Sequence, residues 1–332
     1  MKEKKLAHLL LNWFDMNGRD LPWRHKGGAH PCPYVVFVSE LMLQQTTVKT
    51  VLEYFPRFLK RFPDVQCLAA ASQDEVYQYW QGLGYYSRAR SLLASARMIV
   101  EEYQGIFPQN EKQVANLKGF GQYTVSSFLA LAYNLPYTVV DGNVMRIMCR
   151  MYRLTQPLAQ LQSQIRRKAE ALTSQCRPAD YASAIMDLGA TVCTPKKPRC
   201  TICPWQEHCL SANAPDVEQI PQKTRLIKKS LTGSVYVIYN QKKEVFVRKR
   251  VEKGLLSGLY EFPWCEGSGL FVNAQNSGLS VHHVFTHIDM TLQIYLVQSD
   301  AVNMTGNFVA VDHLPALSTL MKKVLVLAKQ HF

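Results

Sequence analysis

Four cysteines near the middle of the chain, Cys193, Cys200, Cys203 and Cys209, are spaced C-x6-C-x2-C-x5-C, so four thiols fall within one short loop. Thiolates are soft ligands. They select zinc, copper(I) or iron–sulfur clusters and disfavour magnesium or calcium. Zinc loops of this length usually carry two tight C-x2-4-C pairs. Here only Cys200 and Cys203 make such a pair, which favours one 4Fe–4S cluster over zinc. The bland alternative is disulfides or buried thiols. Against it, the other five cysteines (Cys32, Cys67, Cys149, Cys176, Cys265) are scattered singly, as ordinary core residues are.

A second constellation is Leu117-Lys118-Gly119-Phe120-Gly121-Gln122-Tyr123-Thr124, two glycines around one apolar residue, followed by a helical run. It reads as a helix–hairpin–helix turn. Gly119 and Gly121 let backbone amides approach a phosphate, and the next helix begins there with its positive dipole end. Downstream stands Val139-Val140-Asp141-Gly142-Asn143-Val144. Asp141 follows an apolar stretch and precedes Gly and Asn. Two roles are open to it: a carboxylate facing a cation at the mouth of a cleft, or the N-cap of a helix over 143–152.

The elements that must hold these groups change character near residue 212. Before it, apolar residues recur at three- and four-residue spacing over 38–58, 74–82, 88–103 and 124–133, predicting helices. Residues 211–230 are polar and punctuated by Pro215 and Pro221, with a basic run of Lys223, Arg225, Lys228 and Lys229, and read as a linker. Strand-like runs follow over 234–239, 245–248, 281–285 and 290–297, then a helix over 317–329. The chain has 332 residues, 47% of them hydrophobic, enough for about two domains with sizeable cores. Lys and Arg number 38 against 25 Asp and Glu, a net charge of +13 that suits a polyanionic partner. Cysteines without a framework pattern point to a reducing compartment. The start, MKEKKLAHLLLNWF, reads as an amphipathic helix and not a signal peptide, and no stretch is long and apolar enough for a membrane span.

The hairpin, the aspartate and the cysteine loop together resemble the helix–hairpin–helix superfamily of DNA glycosylases, and within it the MutY-type adenine DNA glycosylases. The residues that carry the resemblance are Arg19-Asp20-Leu21-Pro22-Trp23-Arg24, Val38-Ser39-Glu40-Leu41-Met42-Leu43-Gln44-Gln45-Thr46, Gly82-Leu83-Gly84-Tyr85-Tyr86-Ser87-Arg88, Val140-Asp141-Gly142-Asn143, and Met186-Asp187-Leu188-Gly189-Ala190 running into the cysteines. It covers residues 6–212 and extends more weakly beyond. It implies removal of adenine mispaired with 8-oxoguanine or G in double-stranded DNA, by base flipping and hydrolysis of the N-glycosidic bond. Breaking that bond needs an acid for the leaving base and a carboxylate for the sugar cation. Glu40 matches the family's acid and Asp141 its carboxylate. Tyr123 matches a tyrosine near that carboxylate, where lyase relatives carry a Schiff-base lysine, and Asn143 matches a residue that positions the acid or the water. Arg19, Gly119 and Gly121 belong to the implied DNA contacts. Gln44, Gln45 and Tyr85 match wedge residues that fill the gap left by a flipped base. Leu21 and Trp23 match the wall of the adenine pocket. The segment His25-Lys26-Gly27-Gly28-Ala29-His30 looks longer than its counterpart.

Beyond the linker, Lys253-Gly254-Leu255-Leu256-Ser257-Gly258-Leu259-Tyr260-Glu261-Phe262-Pro263 looks like the opening of a Nudix fold, but no glutamate-dense metal-binding helix follows. The domain therefore reads as a lesion reader, with Phe285-Thr286-His287 where relatives carry Phe-Ser-His. The expected architecture is a mainly α, two-lobed helix–hairpin–helix glycosylase fold with an iron–sulfur loop over 1–212, with a six-helix lobe over about 25–135 and an iron–sulfur lobe from 1–24 plus 136–212. A linker over 213–230 and an α+β Nudix-like domain over 231–332 complete it. The resemblance also implies a monomeric, cytoplasmic, nucleoid-associated protein of bacterial type. The competing readings are an endonuclease III-like glycosylase/lyase, disfavoured by Tyr123; a non-catalytic DNA-binding module, which Glu40 and Asp141 argue against; and a Nudix hydrolase, disfavoured by the missing glutamates.

Overall fold

The computed structural model describes residues 2–24, 31–222, 228–252, 254–267, 269–271 and 274–331. The long segment 25–30 and most of the basic run at 223–227 lie outside them. The helices are α1 (Lys2–Asn17), α2 (Pro33–Leu43), α3 (Val48–Arg61), α4 (Val65–Ala70), α5 (Gln73–Trp80), α6 (Tyr86–Tyr103), α7 (Glu111–Asn116), α8 (Gln122–Tyr133), α9 (Gly142–Met151), α10 (Leu158–Leu172), α11 (Pro178–Thr191) and α12 (Thr319–Ala328). No helix of the described residues is long and apolar enough to cross a membrane. By their contacts the residues form two units, one of 1–71 with 87–224 and one of 72–86 with 225–332.

In the first unit, α2 opens on Pro33 at a position where a missing N–H is no loss, and it is buried on nearly every face. The continuous helical pattern over 38–58 is in fact broken. Gln45 takes a left-handed φ of 56°, and the Thr47 hydroxyl accepts from Thr50 N to start α3 afresh. The hairpin turn needs its first glycine. Gly119 sits at φ +82°, and a Cβ there would come within 2.8 Å of the Ser91 side chain. A second core joins α1, α9, α10 and α11 through Leu10, Phe14, Ile147, Met148, Ile165 and Leu188. Trp205 of the cysteine loop plugs into this core and donates its indole N–H to Leu6 O at 2.8 Å.

The stretch read as a linker from 213 is partly structured. A 3₁₀ turn at Val217–Gln219 leads Ile220 into the helical core, and the Arg150 guanidinium binds its carbonyl at 2.9 Å. Its polarity and prolines concealed this because one apolar side chain and one carbonyl are enough to anchor it.

The second unit contains strands β1 (Lys229–Tyr239), β2 (Val245–Lys249), β3 (Tyr260–Glu261), β4 (Trp264–Glu266), β5 (Gln275–Val284), β6 (Ile288–Gln298) and β7 (Asn307–Val309). Their order is β3-β2-β1-β6-β5, with β4 paired to β1 and β7 to β2. β1 and β6 run parallel, with Val235 opposite Ile294, and β5 and β6 form an antiparallel hairpin. On β6 the alternate residues Met290, Leu292, Ile294 and Leu296 turn inward, the period of a half-buried strand. They pack with Leu320, Met321 and Val324 of α12. Tyr236 and Ile238 fill a smaller core on the other face of β1, so that strand is apolar on both sides.

Candidate active site

Glu40 lies on α2, the helix that has almost no exposed face, and is only 4% accessible. Its neighbours in the chain are mostly apolar, and packing against α8 completes the enclosure. Its Oε2 accepts a short hydrogen bond from the Ser127 hydroxyl of α8. Burial drives the carboxyl up to about 7, against the lowering pull of Ser127 and of the Arg24 charge, while the charge of Asp141 adds to the rise. A glutamate in this state is an acid at neutral pH.

Of the two roles open to it, Asp141 takes that of the N-cap. Its Oδ1 accepts from Val144 N at 2.7 Å, capping α9, and its Oδ2 accepts from the Asn143 side chain at 2.8 Å. The cap fixes the carboxylate where the helix begins. Asn143 in turn accepts from Arg146 at 2.9 Å, and Arg146 donates to the carbonyls of Gly189 at 2.7 Å and Cys193 at 2.8 Å. A Cβ on Gly189 would meet the Asn143 Cβ at 2.6 Å, so glycine is what lets α11 approach this chain of bonds. Tyr123 is half-buried, with its hydroxyl 3.6 Å from the Met186 sulfur. Burial first, then the charges of Glu40 and Asp141, raise its phenol well above the ordinary value, so it stays neutral. A cavity of about 330 Å³ is lined by Gln122, Tyr123, Thr138 and Val140.

The other predicted residues divide. Arg19 is half-buried, pairing with Asp187 at 2.6 Å, and Arg24 reaches the same carboxylate oxygen at 2.7 Å. Burial pushes the Asp187 carboxyl up, but the two guanidiniums outweigh it and hold it below the usual range. Leu21 and Trp23 are buried, with the Trp23 ring edge-on to Phe55 at 5.2 Å. The Gln44 amide donates to Gly119 O at 3.2 Å and Thr124 Oγ1 at 3.1 Å, tying the wedge segment to the hairpin. Gly121 is the N-cap of α8. Gln45 at φ 56° and Tyr85 at φ 46° are both left-handed without being glycine. Such strain, on the order of 1–3 kcal/mol, gathers at functional positions.

Tyr85 belongs to the second unit, where it is 46% exposed and its hydroxyl lies 2.8 Å from Thr286 Oγ1. Thr286 and His287 form the tip of the β5–β6 hairpin, closed by Phe285 N donating to Ile288 O at 2.7 Å. Phe285 packs against His283 with ring centroids 4.6 Å apart, and the His287 carbonyl accepts from Lys229 N at 2.9 Å.

Cys193, Cys200, Cys203 and Cys209 line one cavity with Arg150. All four are free thiols. Burial raises the Cys203 thiol to about 12, with the other three cysteines adding to the rise. No three His, Cys, Asp or Glu side chains among the described residues stand close enough to grip a single ion. Four thiols around one cavity suit a 4Fe–4S cluster, in which each thiolate binds its own iron and iron alternates with sulfide at the corners. Arg150 donates to Cys193 Sγ at 3.5 Å and to the carbonyls of Thr194 at 2.6 Å and Pro195 at 3.0 Å, bracing the loop with positive charge. In the sequence Arg24, Arg146 and Asp187 stand only as members of motifs, and Ser127 and Arg150 carry no signal of their own. Their helical spacing marked them as ordinary helix residues, and only the packing of helices distant in sequence gives them partners.

Residues 38–175 match the family model for the HhH-GPD superfamily base excision DNA repair protein, 193–209 that for the iron–sulfur binding domain of endonuclease III, and 234–327 that for the NUDIX domain. An adenine DNA glycosylase of Mus musculus is 34% identical over 400 aligned residues, which cover 97% of this chain and 77% of the relative. One from Buchnera aphidicola (strain APS) is 32% identical, covering 88% of this chain and 86% of the relative. Among solved structures, a thermostable thymine-DNA glycosylase superposes with a TM-score of 0.57 at 26% identity, covering 64% of this chain and 97% of that one. A non-covalent endonuclease III–DNA complex, at TM-score 0.51 and 18% identity over 64% of this chain and 97% of that one, shares the fold.

Proposed function

This chain belongs to the adenine DNA glycosylases, and from that premise we propose that it excises adenine paired with 8-oxoguanine, or with G, and leaves the strand uncut. It is a base-excision repair enzyme that hydrolyses N-glycosyl bonds, binds DNA and carries one 4Fe–4S cluster. In the proposed reaction the adenine leaves the stack and enters the cleft. Glu40 gives its proton to a ring nitrogen of the base, so the base departs with the bonding electrons as a neutral molecule. Asp141 faces the sugar cation that remains, and water completes the hydrolysis. Asn143 holds Asp141 and Tyr123 closes the site as a neutral phenol. A phenol cannot form the Schiff base of a lyase. Cys193, Cys200, Cys203 and Cys209 hold the cluster, whose chemistry when bound is that of an iron–sulfur group ordering the loop with Lys196, Lys197 and Arg199.

The observation that carries the reading is a buried glutamate whose pKa is lifted to about 7 beside the capped carboxylate of Asp141. Two carboxyls in contrasting environments are the mark of a divided acid and electrostatic partner. Region 1–212, continued to 222 by the packed segment, does the catalysis, and 231–332 reads the opposite base through Phe285, Thr286 and His287. Gln44, Gln45 and Tyr85 fill the gap in the duplex, and Leu21 and Trp23 back the adenine pocket. The enzyme works as a monomer on the nucleoid DNA of the cytoplasm.

The test is single-turnover product analysis on duplexes with adenine opposite 8-oxoguanine, G, C and T. Excision should be fastest opposite 8-oxoguanine, slower opposite G and slight opposite C and T, with strand breaks only after added base. Breaks without added base would make it a lyase, and equal rates on all four would remove the mispair assignment.

A further inference from the structure

Ser127 does work that the sequence pattern assigns to packing. It stands inside α8, fully buried, at a position where an apolar residue would suit the helix interface. Burying a hydroxyl is unfavourable unless it is hydrogen-bonded. Its oxygen lies at a short hydrogen-bond distance from Glu40 Oε2 and 3.3 Å from the Thr124 carbonyl one turn back. A hydroxyl has one proton to donate, so the short contact takes it and the longer approach to its own helix's carbonyl is the weaker alternative. The first crosses from α8 to α2 and ends on the carboxyl that the proposed reaction uses as its acid.

We infer that Ser127 is a positioning residue for the glycosylase reaction: its hydroxyl holds Oε2 of Glu40, so the proton given to the adenine is the one on Oε1. This inference rests on Glu40 being the acid. A protonated carboxyl has one hydroxyl oxygen and one carbonyl oxygen, and a donor fixed on Oε2 makes that oxygen the carbonyl. The Oε1–H bond then breaks, an N–H bond forms on the base, and the electron pair stays on the carboxylate. During the transfer the acceptor at Oε2 gains negative charge. The Ser127 bond therefore strengthens as the proton leaves, because hydrogen bonds to ionised groups are the stronger ones. An interaction that grows toward the transition state speeds the chemical step, whereas a constant one does not.

The other charged or titratable groups facing Glu40 are Arg24, on the segment before α2, Tyr123, beside Ser127 on α8, and Asp141, at the start of α9. Arg24 favours the ionised carboxyl and Asp141 opposes it; both stay in place when Ser127 is removed, while the Tyr123 phenol loses its own contact with the Ser127 hydroxyl.

The experiment is the pH dependence of single-turnover adenine excision, at saturating enzyme, for the full chain and its Ser127→Ala and Ser127→Cys variants. Alanine removes only the hydroxyl oxygen, and a melting curve of each variant separates folding from chemistry. Below pH 6 the alanine variant's rate should fall about three- to tenfold, the usual worth of a buried hydrogen bond. Its alkaline limb should also move upward by about half to one pH unit, because the ionised carboxyl has lost a donor. Cysteine, a weak donor, should lie between. A role in packing alone would lower the melting temperature and scale the rate equally at every pH. The inference is overturned if the Ser127→Ala profile superposes on the parent profile after scaling. A Glu40→Gln variant that excises at the parent rate would instead overturn the reading of Glu40 as the acid.

Discussion

Glu40 in the first unit and Glu261 in the second are both almost wholly buried, at 4% and 1% exposure, yet their surroundings differ in kind. Glu261 meets Arg248 at 2.9 Å, Arg250 at 3.3 Å and the Trp264 indole N–H at 2.8 Å. Burial raises its carboxyl above the ordinary value, but two guanidiniums and an indole N–H pull against that rise, and it ties β2 to β3 and β4. Glu40 has one hydroxyl on Oε2 and no guanidinium within ion-pair distance among the described contacts. A buried carboxyl surrounded by cations is part of the frame. One left short of them keeps its proton near neutral pH and can give it away. In the second unit Tyr85 and Thr286 differ from both, since they stand at the surface with their hydroxyls 2.8 Å apart.

The largest effect that can test this contrast is on chemistry. Glu40→Gln and Asp141→Asn should each lower single-turnover excision by at least about two orders of magnitude, with duplex binding retained. Glu261→Gln should leave the excision rate of the folded enzyme within about a fewfold, since no substrate group depends on it. Equal loss from all three would dissolve the distinction between the two glutamates.

Stability should move in opposite directions. Glu40 has a pKa of about 7 folded against an ordinary 4.5. Between those values the folded chain holds a proton that the unfolded chain has released, so stability falls as pH rises through that window. Glu40→Gln removes the penalty and should stabilise the protein at pH 8 by about a few kcal/mol, with little gain at pH 4. Glu261→Gln strands two guanidiniums and should destabilise by about 3–5 kcal/mol. Thermal unfolding of both variants at pH 4, 6 and 8 checks the signs.

The smallest effect lies at the surface. Thr286→Ala removes the partner of the Tyr85 hydroxyl and should reduce the preference for 8-oxoguanine over G by about five- to thirtyfold, the range of one or two hydrogen bonds. Thr286→Ser keeps the hydroxyl and should change it little. The ratio of excision rates on the two duplexes, at one salt concentration because phosphate contacts set absolute affinity, decides the matter. An unchanged ratio in Thr286→Ala would move lesion reading elsewhere.

Sequence by itself determined much of this. The cysteine spacing pointed to a cluster, the glycines around Phe120 marked the hairpin turn, and strand periodicity marked β1, β2, β5 and β6, because each signal is local and set by backbone geometry or ligand number. Asp141 was visible as a helix cap, since a cap is written within four residues. Tertiary structure decided the rest. The state of Glu40 depends on Ser127, 87 positions away. Arg19 reads as a surface cation until Asp187 claims it, and Ile220 reads as linker until Arg150 and the α1–α11 core receive it. Each of these turns on which helices lie against one another, and burial, which sets a carboxyl's proton affinity and a cation's availability, exists only once they do.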